Sequence, residues 1–125
     1  MPKISKSTAK MNDSGPVCDH EQEFEGGYVV NFVEFRQDID ATPFLKGLPD
    51  DRCQCPHWGY IVKGKLTMQY PDRVEVYEAG DAYYSPAGHV PIKHEPGTQI
   101  VQFSPTGKLR ETQAVLYKNM AAMQR

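Results

Sequence analysis

Cys53, Cys55 and His57 stand at alternate positions of one short segment, Cys-Gln-Cys-Pro-His. On an extended strand, side chains two positions apart project from the same face, so this spacing offers two sulfurs and one imidazole to one side. Two more imidazoles, His89 and His94, follow in Gly-His-Val-Pro-Ile-Lys-His. Thiolates and imidazoles are donors that Zn²⁺ takes tetrahedrally, at about 2.0–2.3 Å. Soft sulfur favours Zn, Cu(I) or Fe over Mg or Mn, and Fe or Ni also suits imidazole. Four protein ligands would close such a site, whereas three would leave a vertex for water or a substrate. The same residues have plainer uses. Cysteine is among the most readily buried side chains, and a buried histidine is commonly bonded only to a neighbour. Trp58, Tyr60, Tyr70, Tyr83 and Tyr84 flank these segments. They could line a pocket for a small organic ligand or simply fill a core.

These residues need a scaffold. The chain has 125 residues, with ten glycines and ten prolines, which suits one turn-rich domain. Residues 1–20 are rich in Ser, Thr, Lys and Asn without an apolar period and read as a flexible arm, leaving 21–125 as the domain. Gly26-Gly27 opens a strand over 28–35, whose aromatic and β-branched content fits β structure. A loop over 38–52 surrounds Pro43, Gly47 and Pro49. Its Phe44, Leu45 and Leu48 could plug the core, form a lid or contact a second copy. Strands are expected over 57–62, 66–70, 74–78, 82–85, 90–94 and 98–104, separated by Gly64, Pro71-Asp72, Gly80, Pro86-Ala-Gly88 and Pro96-Gly97. Short strands so regularly spaced predict a sandwich or barrel. Leu109, Thr112, Gln113, Leu116, Met120 and Met123 recur at spacings of three and four. They predict one helix over 108–123, packed on the barrel exterior or on a partner subunit.

Two segments carry a family resemblance. The first runs from Cys53 to Gly64, and the second is Gly80-Asp-Ala-Tyr-Tyr-Ser-Pro-Ala-Gly88. Together they resemble the cupin superfamily, in which G-x5-H-x-H-x3–4-E-x6-G is followed by G-x5-P-x-G-x2-H-x3-N. The G-x5-P-x-G of the second motif is complete at Gly80, Pro86 and Gly88. The resemblance implies an all-β fold: a cupin-type antiparallel β-barrel (double-stranded β-helix, or jelly roll) over about 26–105, with a short C-terminal α-helix. It does not imply the usual ligands. His57 stands where the motif has Glu, its His pair falls near Asp51 and Cys53, and its last His falls at Pro91. The usual set of three His and one Glu is thus missing. If His57 faces inward, as that Glu does, Cys53 and Cys55 share its parity. If position 91 faces inward, His89 does too and His94 faces outward. The candidate metal set is therefore His57, His89, Cys53 and Cys55, and the set suits Zn best.

Net charge is −2, which argues against a general nucleic-acid binder. No run approaches the roughly 20 apolar residues that cross a membrane. Three cysteines without an apolar leader read as reduced thiols in a cytoplasmic protein. Residues 19–51 carry nine acids against Arg36 and Lys46, which is either a solvated acidic edge or a contact between copies. The chain has no Gly-rich phosphate loop and no G-x-S-x-G elbow. The functional expectation is a barrel that binds a small organic ligand, with or without a divalent metal. The alternative is a metal-dependent dioxygenase, isomerase or lyase. A sensor domain is the third reading, although no helix pair for DNA accompanies the barrel. Short cupins tend to pair and a free sheet edge needs covering, so a homodimer is expected.

Overall fold

The computed structural model describes residues 3–123. Among these, nine strands precede one long helix: β1 Lys10–Asp13, β2 Val17–Phe24, β3 Tyr28–Phe35, β4 His57–Lys63, β5 Lys65–Gln69, β6 Val74–Glu78, β7 Ala82–Ser85, β8 Val90–His94, β9 Thr98–Pro105 and α1 Thr106–Met123. All strand pairs are antiparallel. They form a six-stranded sheet, β1-β2-β3-β9-β4-β7, and a three-stranded sheet, β6-β5-β8. The strand hydrogen bonds run within these two sheets, so the observed architecture is a two-sheet β fold with a C-terminal helix.

The alternation of β3 explains how the large sheet finds its inner face. Val29, Asn31, Val33 and Phe35 share one side and pair with Ser104, Gln102, Ile100 and Thr98 of β9. β9 in turn sets Gln102 opposite Gly59 and Ile100 opposite Ile61. Ile61 and Ile100 pack with Leu66, Met68, Tyr70, Tyr77 and Tyr83. Each fully buried aliphatic side chain of this kind contributes about 1.5–3 kcal/mol. Val29, Leu45, Cys53, Cys55, Val90 and Leu109 form a second cluster. Leu45 therefore plugs the core, which settles one of the three roles open to the 38–52 loop.

Two glycines are required by close approach. A Cβ on Gly59 would overlap the Tyr83 ring, and one on Gly64 would overlap Thr98 Oγ1. Gly64 also sits at φ +87°, where a side chain is strained.

Two expectations need correcting. The reading of 1–20 as a flexible arm fails over residues 10–13 and 17–20, because β1 and β2 pair along their whole length (Met1 and Pro2 lie outside the described residues). β2 lacks an apolar layer because its inner residues Asp19 and Glu21 meet polar Asn31 rather than hydrophobic partners. Its position is fixed by the main-chain ladder, which leaves no hydrophobic period to read. The helix, extending over 106–123, is not packed on a barrel exterior. Leu109, Thr112, Leu116 and Met120 line one wall of an open cavity against the large sheet, while Asn119 Nδ2 donates to the carbonyls of Phe44 and Lys46. Arg110 holds Glu21 and Glu23, so part of the acidic edge is neutralised by the chain's own helix.

Candidate metal centre and cavity

Three of the expected ligands meet. Cys53 Sγ and one ring nitrogen each of His57 and His89 lie within 4.8 Å of one another, and all three residues are buried. Backbone pairing brings them together. Cys53 forms an isolated bridge with His89, in which Cys53 N–H donates to the His89 carbonyl at 3.0 Å and Gly88 N–H to the Cys53 carbonyl at 2.8 Å. β4 begins at His57, whose inward parity follows from that of Gly59 and Ile61.

Each histidine is oriented from behind. His89 Nδ1 lies 2.7 Å from the Pro86 carbonyl, which can only accept, so Nδ1 carries the proton and Nε2 keeps its lone pair. His57 Nδ1 lies 2.7 Å from Ser104 Oγ, and its Nε2 lies 3.7 Å from Cys53 Sγ. Orientation of one ring nitrogen by a protein oxygen is the usual support for a metal-binding imidazole. Burial, and then the neighbouring His89, holds His57 well below the ordinary histidine range. Burial also lowers His89, so both rings are neutral, as ligands must be. Burial pushes the Cys53 thiol up, while hydrogen bonds from the Cys55 backbone and the Thr112 side chain oppose this. Around a tetrahedral ion with bonds of about 2.0–2.3 Å, ligand atoms are roughly 3.3–3.8 Å apart. The observed spread needs only a modest contraction, and the donor set fits Zn²⁺.

Cys55 does not join them. Its thiol donates to the Pro56 carbonyl at 3.5 Å, and the chain bends there before β4 begins, so strand alternation does not extend back to it. Burial raises this thiol to about 12. All three cysteines are free.

His94 is not outward, as its parity implied. It is 2 % exposed and lines the cavity. A bulge explains the inversion. Met68 pairs with Pro91 but Thr67 pairs with Lys93, so Ile92 is the extra residue and everything beyond it changes face. His94 Nδ1 is held at 2.7 Å from the Ile39 carbonyl, and its ring stacks on Phe35.

The cavity measures about 550 Å³, within the range of small-molecule sites. None of the five expected aromatics lines it. With His57 inward, Trp58 and Tyr60 must face outward; they are 42 % and 45 % exposed, and Tyr84, paired with Trp58, is 53 % exposed. Tyr70 and Tyr83 are buried, but they pack in the core cluster. The residues that do line the cavity include Asp19, Asn31, Gln102, Thr112 and Met120. Asn31 carried a signal in the sequence, being the one polar residue in the otherwise apolar inner series 29, 31, 33, 35.

No family model matches the sequence, and no curated protein matches it either. Solved structures do resemble it. KdgF from Halomonas sp. aligns with a TM-score of 0.59 at 17% identity, covering 81% of this chain and 90% of that one. An RmlC-like cupin from Shewanella frigidimarina aligns at 0.57 and 17% identity, covering 82% and 88%. The polyketide cyclase RemF from Streptomyces resistomycificus aligns at 0.59 and 15% identity, covering 85% and 80%. Likeness at such identities establishes fold and not activity. The chain is a small protein of cupin fold, in which a Cys-His-His cluster stands on the wall of a cavity.

Proposed function

We propose that this protein binds a divalent metal through Cys53, His57 and His89, and a small organic molecule in the adjoining cavity. The observation that carries the reading is the convergence of two neutral imidazoles and one thiol, which would bind as the thiolate, on one point of the cavity wall, with both imidazoles oriented from outside that point. Zn²⁺ suits the donors best; Fe or Ni would share the imidazoles but gain less from the thiolate. Three protein ligands leave one tetrahedral vertex unfilled, which would supply Lewis-acid chemistry. That open vertex favours the second reading, a metal-dependent dioxygenase, isomerase or lyase. In either case Ser104 and the Pro86 carbonyl fix the ring orientations.

The two sheets, in this reading, act as a cupin barrel around the ligand, and a cytoplasmic location would keep the three unpaired thiols reduced. A homodimer is supported by the outer face of the large sheet. There Phe103, Trp58 and Tyr84 form one cross-strand row and Val101 pairs with Tyr60 in the next, leaving a contiguous aromatic surface of the kind that marks an interface. Light scattering at micromolar concentration is expected to give twice the chain mass, and a monomer would refute this association.

Elemental analysis of untagged protein tests the metal. About one equivalent is expected after purification or metal feeding. Cys53→Ser and His57→Ala should lose it, whereas Cys55→Ser should keep it. Metal well below one equivalent in the metal-fed protein would overturn the reading.

A further inference from the structure

We propose that Asp19 and Asn31 form an amine-binding subsite at the other end of the cavity, taking a small apolar molecule that carries a primary ammonium group. This rests on the cavity being a ligand site, as above, and adds the ligand's chemical class. Asn31 lies two strands and two residues from His57, about 12 Å between backbone positions, so the subsite is separate from the metal ligands.

The first observation is an unused acceptor. Asn31 is 5 % exposed. Its Nδ2 donates to both oxygens of Asp19 and to Glu21 Oε1, each at 3.0 Å. These contacts consume both amide hydrogens and fix the amide, because reversing it would press its oxygen against two carboxylates. Oδ1 is therefore turned away from them, and among the described residues it is buried without a hydrogen-bond partner. A buried acceptor without a donor costs about 1–3 kcal/mol.

The second observation is an unused charge. The two carboxylates beside Asn31 differ. Glu21 is neutralised by Arg110 at 2.7 Å and receives Gln113 Nε2 at 2.6 Å. Asp19 forms no ion pair among the described residues, although it is largely buried on the cavity wall. Burial pushes its carboxyl up to about 6, and a cationic ligand would relieve that.

The third observation is what the cavity lacks. Among the described residues, its lining contains one carboxylate, Asp19, and no lysine or arginine. A carboxylate ligand would find no cationic side chain there. A hydrocarbon would leave Asn31 Oδ1 and Asp19 unpaired. An ammonium group satisfies both, since it has three donors and no acceptor, and Val33, Phe35, Leu66, Leu116 and Met120 accommodate an apolar body.

Three probes of one shape separate the possibilities: 2-phenylethylamine, 2-phenylethanol and phenylacetate, titrated calorimetrically into the full chain at neutral pH. The amine is expected to bind at least tenfold more tightly than the alcohol, and phenylacetate weakest. Asp19→Asn, which keeps the shape, should abolish the preference for the amine; Asp19→Ser serves if that variant does not fold. Metal content is measured on the same samples and should not change. Equal binding of amine and alcohol would overturn the amine subsite while leaving the cavity a ligand site, as would phenylacetate binding tightest to protein freed of metal by a chelator, or a preference that survives in the variant. Binding of neither amine nor alcohol would overturn the subsite and the ligand-binding reading together.

Discussion

The interior holds two buried polar constellations that look alike in composition and differ in where their hydrogen bonds point. At one, the Tyr70 hydroxyl lies 2.6 Å from the Tyr77 hydroxyl and 3.2 Å from Ser85 Oγ, and Tyr77 donates to Glu75 at 2.9 Å. Tyr70, Tyr77 and Ser85 bond to one another, and the network runs out through Glu75, which Arg73 holds at 2.7 Å at the surface. At the other, Ser104 and the Pro86 carbonyl engage the outer nitrogens of His57 and His89, while the remaining donors converge with Cys53. Burial alone distinguishes nothing, since both clusters are buried. A structural cluster closes on itself, whereas a candidate site has its hydrogen bonds made behind it and its lone pairs left in front.

This contrast can be broken from either side. The largest effect is expected at Gly59, on the tyrosine side, because a Cβ there would overlap the Tyr83 ring. Tyr83 is itself held by a 2.7 Å bond to Gln102 Oε1, so the ring has little freedom to retreat. Gly59→Ala should cost about 3 kcal/mol by overpacking, measured by urea denaturation, with metal content per folded molecule unchanged. Loss of metal from the folded variant would show that the two clusters are not separable. Ser104→Ala probes the other side. It removes the partner of His57 Nδ1 and should weaken metal affinity about 10- to 100-fold. Competition with a chelator measures this, and unchanged affinity would reduce Ser104 to a packing residue.

The same contrast explains what the sequence made legible. Strand positions were readable because turns punctuate them: Gly64, Gly80 and Gly88 all adopt positive φ, which few other residues tolerate. Cys53, His57 and His89 were readable from type and spacing. Cys55 was not, because the chain bends at Cys55 itself and interrupts alternation, and His94 was not, because the bulge at Ile92 reverses it. Trp58 and Tyr60 have the parity opposite to His57, so the strand that turns His57 inward turns both of them out of the pocket. Asp19 is illegible for a different reason. Its strand has no hydrophobic layer, so nothing in the local pattern separates it from a solvated tail; only the tertiary pairing with Asn31 reveals it.

Asp19 belongs to neither constellation, and its energetics should show it. Its carboxyl is raised from 3.8 to about 6, chiefly by burial. The folded state therefore holds the proton more tightly than the unfolded state. Stability contributed by this group is present below about pH 4 and is lost as pH rises through about 6. The shift corresponds to at most about 3 kcal/mol, and the hydrogen bonds from Asn31 that an amide would accept less well offset part of it. Asp19→Asn should thus be more stable than the parent by about 1–2 kcal/mol at pH 7.5 and by little at pH 4, in denaturant titrations at both pH values. A variant less stable at pH 7.5 than at pH 4, relative to the parent, would reverse the sign and place Asp19 among the structural groups.

The smallest effect is expected in the closed cluster itself. Tyr70→Phe removes one hydroxyl from between Tyr77 and Ser85 while keeping a ring that is 4 % exposed. Tyr77 retains its bond to Glu75, so only part of the network is lost. A neutral buried hydrogen bond is worth about 1 kcal/mol net, and Ser85 Oγ loses a partner that water cannot easily replace at 0 % exposure. The expected cost is about 1 kcal/mol of stability by urea denaturation, with metal affinity and ligand binding both unchanged. Binding should be indifferent because neither Tyr70 nor Tyr77 lines the cavity. A change in either affinity without a change in stability would mean that the tyrosine cluster communicates with the cavity, and hydrogen-bond closure would then no longer tell a structural cluster from a site.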